Sequence, residues 1–261
     1  MYYSKKSLGQ NFLVDSNIIE KIVKLTNIYN KDVLEIGPGK GALTDKILSC
    51  KPKSLVLIEK DDVLANELKI KHKNNKTIKI YNKDILNFNF EIILKKNSII
   101  FGNLPYNISS QILVNIIRFK KWPPKYSDLI FMFQKELSDR IIGEYGTKKY
   151  GRLSILSSYR LKVFDKFNVS SNCFFPKPKV ESAVLHFKPK KVMLSKIKRI
   201  ENLEKITNIL FSNKRKMINK NIKKIFKNKN FNSSLNLNLK SRPSNLKPEK
   251  YYEITEFFER V

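Results

Sequence analysis

The stretch DVLEIGPGKGALTDKILSC, residues 32–50, decides the fold class. Its first residues, Asp32–Ile36, form a short apolar run that predicts a buried strand. Glycines follow at Gly37, Gly39 and Gly41, and they predict a tight turn in which the backbone approaches a ligand. Residues 42–50 carry apolar side chains at helical spacing. A strand, a glycine turn and a helix in this order are typical of nucleotide-binding α/β folds.

The same alternation continues on both sides of this stretch. Further strands are predicted at 54–59, 77–81, 98–102 and 129–134. Helices are predicted at 15–26, 63–71, 109–119 and 135–142. Residues 154–164 and 180–187 are expected to add two strands at one edge. The pattern predicts an α/β fold with an open, mostly parallel Rossmann-like sheet, which binds ligands at the carboxyl ends of its strands.

The character of the chain changes after Lys188. Helical patterns remain at 203–211, 216–226 and 251–258, but Lys-rich and Asn-rich segments separate them. We therefore expect two domains, a larger one over residues 1–190 and a small helical one over residues 191–261.

The chain is strongly basic, with 52 Lys and Arg residues against 23 Asp and Glu and a formal net charge of +29. Such a charge predicts attraction to a polyanion, with nucleic acid the first candidate and a membrane surface the second. A codon bias toward Lys and Asn is an alternative source of the excess, so charge alone identifies no partner.

The composition also predicts the setting of the protein. No run approaches the roughly 18 apolar residues that span a bilayer, and the N-terminus has no apolar signal segment. The two cysteines, Cys50 and Cys173, lack metal-type spacing and fit a reducing compartment. We expect a soluble, cytoplasmic protein without a metal site, and a monomer by default.

Acidic residues mark the ends of three successive predicted strands. Glu35 lies two positions before the first glycine, where it would repel a pyrophosphate but suit a sulfonium or an ammonium group. Glu59 ends the second strand, where a carboxylate accepts ribose hydroxyls, and Asp84 follows the third, where it would accept from an adenine amine. Each alone is also explained as a turn, cap or surface charge. Together they predict an adenosine-containing cofactor.

The sharpest motif is Asn103-Leu104-Pro105-Tyr106, directly after the fourth predicted strand. An adenine 6-amino group is a poor nucleophile because its lone pair is delocalised into the ring. The side-chain oxygen of Asn103 and a nearby backbone carbonyl would accept its hydrogens and free that lone pair. Pro105 stiffens the turn, and Tyr106 offers a ring for stacking. An ordinary turn that ends a strand is the competing interpretation.

The combination of motifs resembles the ribosomal RNA adenine dimethyltransferases of the KsgA type. The resemblance covers nearly the whole chain. It is carried by SLGQNFL at 7–13, EIGPGKG at 35–41, NLPY at 103–106, FPKPKVESAV at 175–184 and FSNKRK at 211–216. Chance agreement of five motifs in the family's order is very improbable.

The resemblance implies S-adenosylmethionine as the cofactor. The residues implied to bind it are Asn11, Leu13, Gly37, Gly39, Glu59, Asp84 and Asn103. In this scheme Asn11 and Leu13 touch the methionine end, Glu59 holds the ribose and Asp84 the adenine ring. The resemblance also implies a class I methyltransferase fold, with the cofactor and catalytic groups in residues 1–190.

The resemblance further implies the catalytic groups. Asn103 and the carbonyl of Leu104 would polarise the target amine, in a loop stiffened by Pro105. Tyr106 and Phe175 would sandwich an adenine splayed out of the RNA. No general base is evident, so water is expected to take the proton.

The implied partner is small-subunit ribosomal RNA or an assembly intermediate of that subunit. Basic residues are expected to contact phosphates without reading bases. The candidates are Lys5, Lys6, Lys148, Lys149, Arg152, Lys214, Arg215 and Lys216. Lys214 to Lys216, expected at a helix start, form the best cluster. A solvated surface charge is the alternative for each of them.

Three other functions stay open from the sequence. The related large-subunit enzymes of the macrolide-resistance type share the chemistry. A non-catalytic RNA-binding assembly factor would keep the fold without the activity. A dinucleotide oxidoreductase is suggested by the glycine turn alone.

Overall fold

The computed structural model of the protein describes residues 9–193, 195–227 and 235–261. The chain forms two compact units. The first joins residues 1–138 to 163–189, and the second joins 139–162 to 190–261. The sequence changes character near residue 190, which is where the chain enters the second unit for the last time. Residues 139–162 were expected in the first domain but pack with the second unit.

Strands and helices alternate through the first unit. Its strands are β1 (Phe12–Leu13), β2 (Asp32–Ile36), β3 (Ser54–Glu59), β4 (Ile78–Asn82), β5 (Ser98–Asn103), β6 (Tyr126–Gln134), β7 (Leu161–Val169), β8 (Phe174–Phe175) and β9 (Ser182–Pro189). Its helices are α1 (Ser16–Val23), α2 (Ala42–Ser49), α3 (Asp62–Lys71) and α4 (Ser109–Ile117). Helix α5 (Lys135–Ile141) follows β6 directly.

A seven-stranded sheet in the order β4-β3-β2-β5-β6-β9-β7 organises this unit. The pairs from β4 to β6 are parallel, and β9 runs antiparallel to β6. This mostly parallel sheet confirms the predicted α/β class. A separate antiparallel pair, β1 with β8, places Phe12 opposite Phe175.

The carboxyl ends of the parallel strands meet at one edge, which positions the site. Ile36 pairs with Ile58 on one side and with Gly102 on the other. Glu59 pairs with Asn82 at the end of β4. We call this the catalytic edge. The residues that end β2, β3, β4 and β5 therefore lie side by side, as the sequence pattern predicted.

The core explains why these segments fold as they do. Buried Val33, Leu55, Ile99 and Ile130 come from four neighbouring strands and form part of one apolar cluster with the helices. Burying each such side chain stabilises the fold by roughly 1.5–3 kcal/mol. Asp61 caps α3 by accepting hydrogen bonds from the backbone N–H groups of its first turn.

The second unit is helical and is held partly by buried tyrosines. It contains α6 (Arg152–Arg160), α7 (Ile200–Phe211), α8 (Asn219–Phe226) and α9 (Pro248–Arg260), and α7 packs on the other three. The hydroxyl of Tyr150 donates to Leu246 O at 2.8 Å, and that of Tyr251 donates to Pro243 O at 2.6 Å. These bonds satisfy phenols that the packing removes from water.

Residues 154–164 correct the sequence prediction, which gave them to a strand. Most of this segment is helix α6, and the strand β7 begins only at Leu161. The buried residues Ile155, Leu156 and Tyr159 follow helical spacing. Ser157, which weakens the helical pattern, donates its hydroxyl to Ile141 O at 2.8 Å. Tertiary packing on α7 and α9 thus overrides a weak local preference.

None of the helices formed by residues 9–193, 195–227 and 235–261 is long and apolar enough to cross a bilayer.

Candidate active site

A cavity opens at the catalytic edge and collects nearly all of the predicted site residues. Its wall includes Asn11, Leu13, Gly37, Gly39, Glu59, Asp84, Asn103, Leu104, Pro105 and Tyr106. These residues come from five separate segments of the first unit, so the fold brings together what the sequence disperses. Sequence reasoning missed Gln10, Lys60 and Ile85, which also line the cavity.

The glycine turn forms one wall, and its geometry requires glycine. Gly37, Gly39 and Gly41 have φ values of +68°, +57° and +83°, a region that other residues rarely adopt. A Cβ atom on Gly39 would lie 2.9 Å from Cδ1 of Phe12. The turn therefore needs glycine for both its backbone conformation and its contact with the ring.

Glu59 is held rigidly at the end of β3. Its Oε2 accepts a hydrogen bond from Gly39 N at 3.1 Å, and its Oε1 accepts one from Asp61 N at 2.8 Å. Burial raises the pKa of this carboxyl above its usual value, and the two backbone N–H groups oppose that shift. Each carboxyl oxygen keeps acceptor capacity for a further donor, which suits the predicted contact with ribose hydroxyls.

Asp84 lies next along the edge and contacts a lysine that the sequence did not single out. Its Oδ2 is 2.9 Å from Lys60 Nζ, and its Oδ1 accepts from Leu86 N at 3.0 Å. The hydrogen bond from Lys60 is the main cause that lowers the pKa of Asp84. The side chain is therefore an ionised acceptor, which is what contact with an exocyclic amine requires.

Glu35 lines the cavity and is deeply buried. Its side chain is 2% exposed and its Oε2 accepts a hydrogen bond from Thr44 Oγ1 at 2.7 Å. Burial raises its pKa to about 8. Burial thus favours the protonated form of this carboxyl near neutral pH. The sequence pattern could not predict this, because the pKa depends on burial.

Asn103 ends β5 with its amide oriented by the backbone. Its Nδ2 donates to the carbonyl oxygen of Asn11 at 3.0 Å. A carbonyl only accepts, so this bond fixes which end of the amide is nitrogen. Oδ1 is then the end that is not tied to Asn11. Gly102 allows the turn that follows, since a Cβ there would lie 2.5 Å from Cδ2 of Leu104.

The two predicted stacking rings are placed differently. Tyr106 lines the cavity, and its hydroxyl lies 2.6 Å from Ser182 Oγ. Burial raises the pKa of this phenol, so it stays neutral. Phe175 is 67% exposed and is not part of the cavity wall formed by the described residues. Its strand partner Phe12 does line the cavity, which puts Phe175 one strand away from it.

The predicted phosphate contacts lie on the second unit. Lys214, Arg215 and Lys216 are exposed in the turn between α7 and α8, not at a helix start as the sequence suggested. Lys214 Nζ donates to the carbonyl oxygen of Tyr150 at 3.2 Å.

The other phosphate candidates fall into two groups. Lys148, Lys149 and Arg152 are also exposed on the second unit. Lys5 and Lys6 lie outside the described residues, as do Ser7 and Leu8 of the first motif.

With this geometry defined, the family of the chain is decided by comparison. Residues 1–260 match the model of the family described as ribosomal RNA adenine dimethylase. The chain belongs to this family. A dimethylase relative, ribosomal RNA small subunit methyltransferase A of Pelagibacter ubique, is 46% identical over 260 residues, covering 98% of this chain and 97% of the relative. The protein of that name from Malacoplasma penetrans is 38% identical, covering 97% and 91%.

Solved structures agree with the dimethylase assignment. A dimethyladenosine transferase from Plasmodium falciparum superposes with a TM-score of 0.78 at 26% identity, covering 95% of this chain and 98% of that one. The 23S rRNA methyltransferase ErmE has a TM-score of 0.67 at 22% identity, covering 95% and 100%. The second likeness supports the class I methyltransferase fold alone.

Proposed function

We propose that this dimethylase uses S-adenosylmethionine to transfer two methyl groups to the exocyclic amine of adenines in small-subunit ribosomal RNA, as a cytoplasmic monomer acting during ribosome assembly. The relatives named as small-subunit methyltransferases support the substrate. The observation that carries the chemistry is the hydrogen bond from Asn103 Nδ2 to Asn11 O, which leaves the acceptor end of the amide for a substrate amine.

Two features of the cavity wall fit S-adenosylmethionine. A Cβ on Gly39 would crowd the ring of Phe12, so the glycine lets the turn pack closely against that ring in the cavity wall. Glu59 and Asp84 offer carboxylates at neighbouring strand ends, where ribose hydroxyls and an adenine amine need acceptors. When bound, S-adenosylmethionine supplies a methyl group on a positively charged sulfur, which is already a strong electrophile. The proposal therefore assigns no role to a metal.

The chain's own residues then prepare the nucleophile. Oδ1 of Asn103 and the carbonyl of Leu104 accept the two hydrogens of the adenine amine and free its lone pair for attack. Preorganised acceptors cost no reorganisation as charge builds on the nitrogen. When bound, S-adenosylmethionine would supply a methyl carbon to this lone pair and leave as the neutral thioether, while Asn103 and Leu104 would hold the amine as its proton passes to water. A second round on the methylated amine gives dimethyladenine.

The aromatic groups position the base. Splaying an adenine out of RNA structure costs a few kcal/mol, and stacking on an aromatic ring returns about 1–3 kcal/mol. Tyr106 lines the cavity and serves as the stacking ring. Exposed Phe175, opposite Phe12 in the small sheet, closes on the other face of the base.

The second unit supplies charge for RNA. Lys214, Arg215 and Lys216 contact phosphates without reading sequence, so their contribution falls with salt. In this proposal residues 1–138 and 163–189 hold the catalytic groups, while residues 139–162 and 190–261 form the RNA-binding domain.

Methyl transfer to fractionated RNA tests the proposal. The purified chain is incubated with S-adenosylmethionine labelled in the methyl group and with either immature small subunits or naked large-subunit RNA. Nucleoside analysis should find dimethyladenosine in the small-subunit RNA. Modification of large-subunit RNA alone would instead support the macrolide-resistance type of enzyme, and RNA binding without transfer would support a non-catalytic factor. Binding of NAD without S-adenosylmethionine would support an oxidoreductase.

A further inference from the structure

The ring of Tyr106 is anchored at its far end by a residue from a distant strand. The phenol oxygen lies 2.6 Å from Ser182 Oγ, and the two residues are 76 positions apart in the chain. Ser182 is fully buried, at 0% exposure, whereas Tyr106 is half-buried beside the cavity. A buried hydroxyl thus meets the one polar atom of an otherwise apolar ring.

The sheet explains how this contact arises. Asn103 at the end of β5 pairs with Met132 of β6, and Ser182, the first residue of β9, pairs with Gln134 at the end of β6. Because β9 is antiparallel to β6, it begins at the edge where β5 and β6 end. The loop after Asn103 therefore passes the start of β9, and the phenol ties the loop to that strand.

We propose that Ser182 is a positioning residue that fixes the position of the Tyr106 ring on which the target adenine stacks. This inference rests on the proposed function, because it assumes a base against the ring. A ring held only by packing can swing about its Cα–Cβ bond and carry its hydroxyl with it, whereas a ring with its hydroxyl bonded to a rigid strand keeps its long axis in one place. The position of the ring sets where the base stacks, and with it the distance of the amine from the methyl carbon.

The Tyr106–Ser182 bond connects the Asn103–Tyr106 motif after β5 with the FPKPKVESAV motif, for which the sequence offered a role only at Phe175. The hydrogen bond between Tyr106 and Ser182 does not involve Phe175. It gives the serine of that motif a task in the reaction that is separate from stacking.

A double-mutant cycle in single-turnover methyl transfer tests the proposal. The variants Ser182→Ala and Tyr106→Phe remove the same hydrogen bond from opposite sides, so each should lower the rate constant about three- to tenfold. The double variant should lose no more than either single variant. Affinity for S-adenosylmethionine, measured by titration, should stay within about twofold, because neither variant touches the predicted cofactor contacts.

Ser109→Ala is the matched control. Ser109 is also a fully buried serine bonded to Tyr106, but its Oγ donates to the backbone carbonyl of Tyr106 at 3.2 Å. The rate losses of Ser109→Ala and Tyr106→Phe should therefore multiply in a double variant. The rate losses of Ser182→Ala and Tyr106→Phe should not. A purely structural role for Ser182 would lower thermal stability and cofactor affinity together, which the titration detects.

Two results would overturn the inference: a wild-type rate in Ser182→Ala, or losses that multiply in the Ser182–Tyr106 double variant. If Ser182→Ala does not fold, Tyr106→Phe alone decides, since a wild-type rate in that variant contradicts an anchoring role for the phenol. Absence of transfer by the wild-type chain would instead contradict the proposed function, so the two failures are distinguishable.

Discussion

The catalytic edge of the first unit and the basic turn of the second unit, which consists of Lys214, Arg215 and Lys216, use polar groups in opposite ways. At the edge, Glu59, Asn103 and Tyr106 each have a fixed partner in the backbone or in a buried side chain. In the turn, Arg215 and Lys216 are exposed and carry charge on flexible side chains. Transition-state stabilisation needs fixed geometry, whereas attraction to a polyanion needs only charge density. Changes at the edge should therefore have large, specific effects, and changes in the turn small, salt-dependent ones.

The largest effect is expected from Asn103→Ala. Loss of the acceptor for the amine should lower the methyl-transfer rate constant by about 10²–10³, the usual consequence of removing one preorganised polar group. Single-turnover transfer of labelled methyl groups measures this change. RNA binding should be nearly unchanged, because the residue lies at the edge and not in the basic turn. Turnover close to that of the wild type would contradict the assigned role of Asn103.

The next effect is expected from Gly39→Ala. The new Cβ would lie 2.9 Å from the Phe12 ring, so the cavity wall must shift and cofactor affinity should fall about tenfold or more. Isothermal titration with S-adenosylmethionine measures this loss.

Gly146→Ala is the matched control for this variant. Gly146 also has a positive φ, of +84°, but no atom lies within 4 Å of an added Cβ. It should show comparable backbone strain and an unchanged cofactor affinity. Equal affinities in the two variants would show that the packing of Gly39 against Phe12 does not shape the cofactor site.

A smaller effect is expected in the basic turn. Arg215→Ala should weaken RNA binding a few-fold for every sequence and reduce the slope of log affinity against log salt by about one. Lys214→Ala should change the slope less, because its ammonium already donates to Tyr150 O. Filter binding over a range of salt concentrations tests both variants. A sequence-dependent loss would mean that the turn reads bases.

The last effect concerns stability and tests the buried carboxyl of Glu35. The pKa of Glu35 rises from 4.5 to about 8 on burial, so the folded state keeps a proton that the unfolded chain releases in this range. The wild type should therefore lose stability relative to Glu35→Gln as the pH rises from 4.5 to 8. Thermal unfolding across that range measures the difference. A constant difference in melting temperature would contradict the raised pKa.

The sequence predicted the catalytic edge well because each part has a strong local signal. A buried apolar run ends in glycines, in Glu59 or in Asn103, and parallel strands bring such ends together. The cavity wall contains every predicted cofactor residue. The roles of those residues remain predictions.

The rest depended on tertiary structure. Helix α6 was predicted as a strand because its serines obscure the helical spacing, and packing within the second unit decides its conformation. The partnership of Tyr106 with Ser182 spans 76 positions and follows only from the order of strands. The pKa of Glu35 depends on burial, which no motif encodes. Local patterns thus predict where chemistry lies, whereas long-range packing determines how its groups are held.

A crystal structure of the chain with S-adenosylhomocysteine and adenosine tests the central claim most directly. Asn103 Nδ2 should remain on the carbonyl oxygen of Asn11, and Oδ1 should lie about 3 Å from the 6-amino group of the adenine. An adenine bound with its amine on another group, or an Asn103 side chain turned away from an occupied cavity, would contradict the claim that this amide activates the amine.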